Sequence, residues 1–155
     1  MVIVIEGADG SGKTTLCENL KALGYTQIYS NVPESLHEWL HLLTDSQDKN
    51  VITDRSFITD IVYRLRDGKP RRGMDLNSMC YILMQIKIIH CESGTEFLDS
   101  MKRGEDSITT KKDNDLIKSY YNIIMNLFEK FVDAKICKYN WHTDDLNKVI
   151  NFINS

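Results

Sequence analysis

Residues 7–14 read Gly-Ala-Asp-Gly-Ser-Gly-Lys-Thr, a full match to the spacing G-x-x-x-x-G-K-[ST]. Gly7, Gly10 and Gly12 let the backbone curl so that successive N–H groups point at phosphate oxygens. A helix starting at Lys13 adds its positive end to the same spot. Lys13 reaches toward the β- and γ-phosphates, with no core contact expected of it, and the Thr14 hydroxyl suits Mg²⁺. The contact set this predicts for ATP is Gly7, Ala8, Asp9, Gly10, Ser11, Gly12, Lys13, Thr14 and Thr15. The competing reading is a glycine turn with an incidental lysine. It must overlook that the run lies between a predicted strand and a predicted helix.

Three more residues carry chemistry of their own. Glu34 follows an extended stretch, where a positioned carboxylate can take the proton of a hydroxyl nucleophile. The plainer alternative is a helix-start acid favoured by the dipole. Asp54 closes a short run of apolar character, at a strand end where it could hold Mg²⁺ through water. Arg55 offers a planar donor fork for phosphate oxygens, with a structural ion pair on a loop as the alternative. His37 and His41 share a helix face at metal-ligand spacing, but no third ligand accompanies them in the sequence. Cys17, Cys80, Cys91 and Cys137 form no C-x-x-C pair.

The elements that must position these groups follow from periodicity and breakers. Strands are predicted over 2–6, 51–54, 86–91 and 134–139, with an extended stretch at 25–32. Helices are predicted over 13–23, stopped by Gly24, and over 34–43, 57–65, 79–84, 95–101, 114–132 and 145–153. On the longest, Leu116, Tyr120, Ile123, Ile124, Leu127, Phe128 and Phe131 are taken as the inward side. Strands alternating with helices predict a three-layer α/β domain: a central parallel sheet of about five strands flanked by helices.

Composition narrows the function classes. The 155 residues, 42% hydrophobic and 26% charged, suit one globular domain over 1–155. No apolar run approaches the roughly 20 residues that cross a bilayer. No basic leader precedes the apolar residues 2–5, so the expected location is the reduced cytoplasm. A formal charge of −3 argues against blanket binding to nucleic acid. Arg64, Arg66, Lys69, Arg71 and Arg72 nevertheless form a dense basic cluster. It is open as a rim for an acceptor phosphate, a homodimer contact or a nucleic-acid patch.

The string from Glu6 to Thr15, EGADGSGKTT, resembles the phosphate loop of thymidylate kinases, including the acid Asp9 inside it. The stretch VPESLHEW, residues 32–39, resembles the VPE-x-x-x-x-W block of deoxynucleoside kinases. That resemblance implies Glu34 as the base for a sugar 5′-hydroxyl and Trp39 beside the nucleoside. Asp54-Arg55-Ser56 is intermediate between the two families. Asp60, five residues after Arg55, matches an acid that accepts from amino-bearing bases in deoxycytidine-like kinases; Tyr63 matches a thymidylate kinase tyrosine. Lys102-Arg103-Gly104 leading to Lys111-Lys112 resembles the lid that closes cations over the donor phosphates. The resemblance therefore implies a P-loop kinase fold with a mobile lid at about 102–112. It implies Lys13, Glu34, Asp54, Arg55 and Arg103 as catalytic residues, Asp9, Glu34, Trp39, Arg55, Asp60 and Tyr63 around the acceptor, and Thr14 and Asp54 toward Mg²⁺.

The leading expectation is an ATP-dependent kinase acting on a deoxynucleoside 5′-hydroxyl. The runner-up is a thymidylate kinase-like enzyme converting a deoxynucleoside monophosphate to the diphosphate. Residues 31–50 contain no Arg and only Lys49, a poor supply of cations for an acceptor dianion, which favours the first. More distant readings are a kinase acting on a modified base in DNA and a nucleotide-binding module without turnover. A regulatory GTPase switch would carry a base-reading N-K-x-D segment, and none is present.

Overall fold

The computed structural model describes residues 1–28, 33–70, 73–92 and 111–155. Along the chain run β1 (Val2–Glu6), α1 (Lys13–Ala22), β2 (Thr26–Ile28), α2 (Leu36–Asp45), β3 (Val51–Asp54) and α3 (Phe57–Asp67). There follow α4 (Leu76–Gln85), β4 (Lys87–Cys91), α5 (Lys111–Val132), β5 (Lys135–Tyr139) and α6 (Leu146–Asn154). The sheet order is β2-β3-β1-β4-β5 and every pairing is parallel. β1 and β4 lie inside the sheet and are buried over all five of their residues, which is why β1 reads as a nearly unbroken apolar run; β4 also carries Lys87 and His90, both buried. Edge strand β5 instead exposes Lys135, a charge that discourages pairing with another sheet.

Strand parity sorts the core into two layers. Val2, Val4 and Ile88 face a layer built with Trp39, Ile58, Val62, Ile82, Leu83, Ile117 and Tyr121 from α2 to α5. Ile3, Ile5, Ile52 and Ile89 face the other way, onto Leu16, Cys17 and Leu20 of α1 and Val149 and Ile153 of α6. The three-layer α/β expectation is the architecture found. The chain leaves β1 toward one edge and later crosses from β3 to β4 on the other side. The ligand crevice of such a sheet lies at the carboxyl ends of these central strands.

Differences from the sequence reading have local causes. Ser35, Ser56, Asp75 and Asp145 cap α2, α3, α4 and α6, each side chain accepting a backbone N–H of the first turn. The capping of α2 by Ser35 leaves Glu34 outside the helix predicted to start there. In α5 the buried side chains are Asn114, Ile117, Tyr121, Ile124 and Met125, while Leu116, Ile123, Leu127 and Phe131 are exposed. The expected inward face is thus corrected by about one residue. Its apolar residues occupy two adjacent stripes, and packing against α3 and α4 chose the second. The predicted helix over 95–101, residues 29–32 and Arg103 lie outside the described residues.

Candidate active site

The turn after β1 is shaped for anions. Gly12 sits at φ +86 as the N-terminal flank of α1, and α1, unlike α2, α3, α4 and α6, starts without a side-chain cap. Its first N–H groups are therefore left to whatever occupies the loop. A Cβ at Gly12 would fall 2.5 Å from Cδ1 of Trp141, and one at Gly7 would fall 2.6 Å from the Cys91 carbonyl oxygen. Only glycine allows the loop to nestle between β4 and the segment after β5.

Lys13 is buried, and its Nζ donates to Gly7 O at 2.9 Å and Ala8 O at 2.8 Å. The expectation that it supports no core contact is corrected: it pins the loop. Burial pulls its pKa below the ordinary value, Arg55 adds to this, and Asp54 and Asp9 oppose it. Asp54 pairs in register with Ile5, and its Oδ1 is buried without a hydrogen-bond partner among the described residues. An orphaned acceptor beside the loop is a fitting anchor for hydrated Mg²⁺, with the exposed Thr14 hydroxyl on the first turn of α1. Among the described residues no cluster of three metal-binding side chains occurs, and His37 and His41 form only an exposed pair, Nε2 to Nε2 3.2 Å.

Arg55 follows β3 at φ +77, a conformation that costs a non-glycine residue about 1–3 kcal/mol. Its backbone N–H donates to Ile5 O at 2.9 Å, and its guanidinium donates to Asp9 Oδ1 at 3.0 Å. From there it faces a cavity of about 890 Å³, lined among others by Glu34, Phe57, Asp60, Tyr63, Arg64 and Met74. That volume suits a nucleoside-sized ligand. Arg64 Nε donates to both Asp60 oxygens, at 2.8 and 2.7 Å.

Comparison with solved structures now decides the architecture. The YorR protein of Bacillus subtilis, in complex with phosphorylated GDP, superposes with a TM-score of 0.70 at 19% identity, over 99% of this chain and 94% of that one. Deoxyadenosine kinase from M. mycoides with dCMP and a flexible dCDP gives 0.62 at 19%, over 99% and 97%. Thymidylate kinase of Ehrlichia chaffeensis gives 0.52 at 17%, over 100% and 98%. The fold is that of the deoxynucleoside and thymidylate kinases. The sequence matches no family model and no curated protein.

Within this kinase fold the structure brings Asp9, Lys13, Asp54 and Arg55 to the loop, and Glu34, Arg55, Asp60 and Tyr63 to the cavity. Trp39 is placed elsewhere: it is fully buried in the core, edge-on behind Phe57 at 5.8 Å, so its position beside a nucleoside is corrected. Trp39 is instead a core aromatic, the buried side chain of α2. The basic cluster is also reduced. Arg64 pairs with Asp60, and Arg66 and Lys69 with Asp67, while Arg71 and Arg72 lie outside the described residues.

Two features escaped the sequence reading. Trp141, just after β5, lies over Gly12 with the His142 ring tilted against it, centroids 3.8 Å apart; an aromatic at a strand's carboxyl end was the available signal. Glu6 ends the apolar strand Val-Ile-Val-Ile-Glu, and strand parity turns it to the α3 and α5 side, where it is completely buried. Its Oε1 accepts from Ser56 Oγ at 2.6 Å; its Oε2 accepts from Thr59 Oγ1 at 2.6 Å and Tyr121 OH at 3.0 Å. Burial raises its pKa against the opposing pull of these hydroxyls and Lys13.

Proposed function

We propose that the chain is an ATP-dependent kinase of deoxynucleotide metabolism, transferring the γ-phosphoryl group to the 5′-hydroxyl of a deoxynucleoside. One observation carries this reading: Glu34 shares a cavity with Arg55, and Arg55 is tied to Asp9 of the phosphate loop. In the proposed step the O5′–Pγ bond forms and the bond from Pγ to the β-phosphate oxygen breaks. The hydroxyl proton passes to Glu34 and ADP leaves. Lys13 uses two of its three N–H donors on Gly7 and Ala8, and the third is available to a phosphate oxygen. Arg55 stands between loop and cavity, where charge develops during transfer, and the resemblance implies Arg103 as a further cation for the donor phosphates. Thr14 and Asp54 are the residues that would hold Mg²⁺, which neutralises charge on the β- and γ-phosphates.

A second reading has a specific observation in its favour. Arg64 lines the same cavity as Arg55, so two guanidinium groups are present where an acceptor phosphate would sit in a monophosphate kinase. The neighbours do not choose a base: their complexes hold guanine and cytosine nucleotides, and a further one of the deoxyadenosine kinase holds dATP. Labelled ATP with a panel of deoxynucleosides and their monophosphates separates the readings. Transfer to nucleosides is expected, and Glu34→Gln should lower kcat by about 10² with little change in ATP binding. Transfer to monophosphates alone, undiminished in Glu34→Gln, would replace the first reading with the second.

A further inference from the structure

Arg55 occupies a backbone conformation that its own side chain disfavours, so something around it must hold the turn. Two consecutive residues of β1 do so. Ile5 O accepts the Arg55 N–H, and the Glu6 carboxylate accepts the hydroxyl of Ser56, the next residue, at 2.6 Å. Ser56 Oγ in turn accepts the Ile58 N–H at 3.1 Å and so starts α3. One turn on, Thr59 reaches the other Glu6 oxygen, and Tyr121 brings α5 to the same atom. Three hydroxyls thus converge on a carboxylate with no exposed surface, and a carboxylate can only accept. Glu6 also directly precedes Gly7, whose carbonyl holds Lys13. One short segment therefore registers the loop cation and the cavity cation against each other. The remaining groups around it are His90, in register with Glu6 on β4 and stacked on Tyr121 at 5.7 Å, and Lys13.

We infer that Glu6 is a positioning residue for the transfer step: through Ser56 and Thr59 it holds the turn that aims Arg55 between Asp9 and the acceptor cavity. The inference rests on the kinase reading for its kinetic consequence but not for its geometric one. Glu6→Gln keeps the shape while replacing one acceptor oxygen by a donor that must confront a hydroxyl.

A double-mutant cycle with Arg55→Ala tests this. Glu6→Gln is expected to lower kcat by about 10-fold to 100-fold, KM for ATP moving less than about threefold, and to have under about twofold effect in the Arg55→Ala background. Ser56→Ala, which removes one arm only, should show the same dependence on Arg55 at smaller size. Equal effects of Glu6→Gln in both backgrounds, or a lowered melting temperature with kcat unchanged, would overturn the inference. The Arg55 Nε–H signal in a ¹⁵N NMR spectrum, assigned with Arg55→Lys, gives a readout without turnover. It should shift in Glu6→Gln and in Ser56→Ala, and an unmoved signal in both counts against the inference. Should the wild type transfer phosphate to nothing in the panel, the kinase reading fails alone, and this signal still decides the role of Glu6.

Discussion

The floor beneath the phosphate loop and the wall of the acceptor cavity hold their charges in opposite ways. Under the loop, Glu6, Lys13 and His90 are buried, and Glu6 and Lys13 are met by protein groups at hydrogen-bond distance. In the cavity, Arg55 and Asp60 keep 40% and 46% of their side-chain surface exposed, Asp60 pairing with Arg64 and Arg55 with Asp9 of the loop. Water screens the second set and hardly touches the first. Substitutions in the floor should therefore change stability and rate together, whereas those in the wall should change ligand choice and leave the fold alone.

The largest expected effect is at Lys13. Lys13→Ala removes a cation facing the transferring phosphate, at a cost on the order of 10³ in kcat. It also strips the donor from two carbonyl groups, Gly7 O and Ala8 O, which should lower unfolding free energy by about 1–3 kcal/mol. Rate assays and urea titrations on one protein sample check both. A variant with unchanged stability would place Lys13 with the cavity charges and break the contrast; near-normal turnover would remove the kinase reading.

How much of this was legible differs between the two regions for the same reason. The loop is specified by backbone needs, glycines at 7, 10 and 12 and an uncapped helix start, and backbone needs leave a local sequence signature. Strand alternation likewise gave the three layers. The cavity is assembled from the turn after β3, α3, the start of α2 with the segment before it, and the start of α4 with the segment before it, so which side chains meet there depends on tertiary packing. Glu34 and Arg55 were singled out by their chemistry as well as by a resemblance, Asp60 and Tyr63 by the resemblance alone, and the same resemblance misplaced Trp39, whose helix face points to the core. The α5 register failed because two apolar stripes satisfy one period. Glu6 was visible as an acid ending an apolar strand, but its three partners come from α3 and α5, 50 to 115 residues away.

An intermediate effect is expected from pH. His90 is buried, its Nδ1 lies 3.3 Å from Glu92 Oε1, a contact that is an ion pair only when the ring is protonated, and burial, helped by Lys138, outweighs it and pushes the pKa down to about 4 from 6.5. Between those values the unfolded ring binds more protons than the folded one. Stability therefore rises with pH across this window and is lost on acidification, by at most about 1.4 kcal/mol per unit. Glu6 acts with the opposite sign: its pKa is raised, so its contribution is present below 4.5 and declines as pH rises through the folded value. His90→Phe should leave stability near pH 7 within about 1 kcal/mol and flatten the loss between pH 6.5 and 4. Urea midpoints across that range measure it. Parallel profiles for wild type and variant would mean that the floor is as wet as the cavity wall.

The smallest expected effect lies in the wall, at Asp60. A lone carboxylate would favour bases bearing an amino group and oppose the O4 carbonyl of thymine. The structure weakens that discrimination, because Arg64 Nε already engages both Asp60 oxygens and stands beside them in the cavity. An acceptor next to a donor matches the amino group and ring nitrogen of cytosine or adenine. It also matches the ring N–H and carbonyl of thymine or guanine. The pair is i,i+4 on α3 and partly exposed, Asp60 more than Arg64, so each contact is screened and contributes well under the value of a dry hydrogen bond. Amino-bearing bases should still be preferred, by about threefold to tenfold, since the carboxylate keeps lone pairs free while the guanidinium is also drawn to Pro70 O at 3.2 Å. Asp60→Asn should narrow the preference to within about twofold without changing the melting temperature. Competition among deoxycytidine, deoxyadenosine and thymidine, each as nucleoside and monophosphate, reads the ratio directly. A wild-type preference for thymidine would assign base reading to another part of the wall, and a large loss of stability in Asp60→Asn would move Asp60 from the wall to the floor.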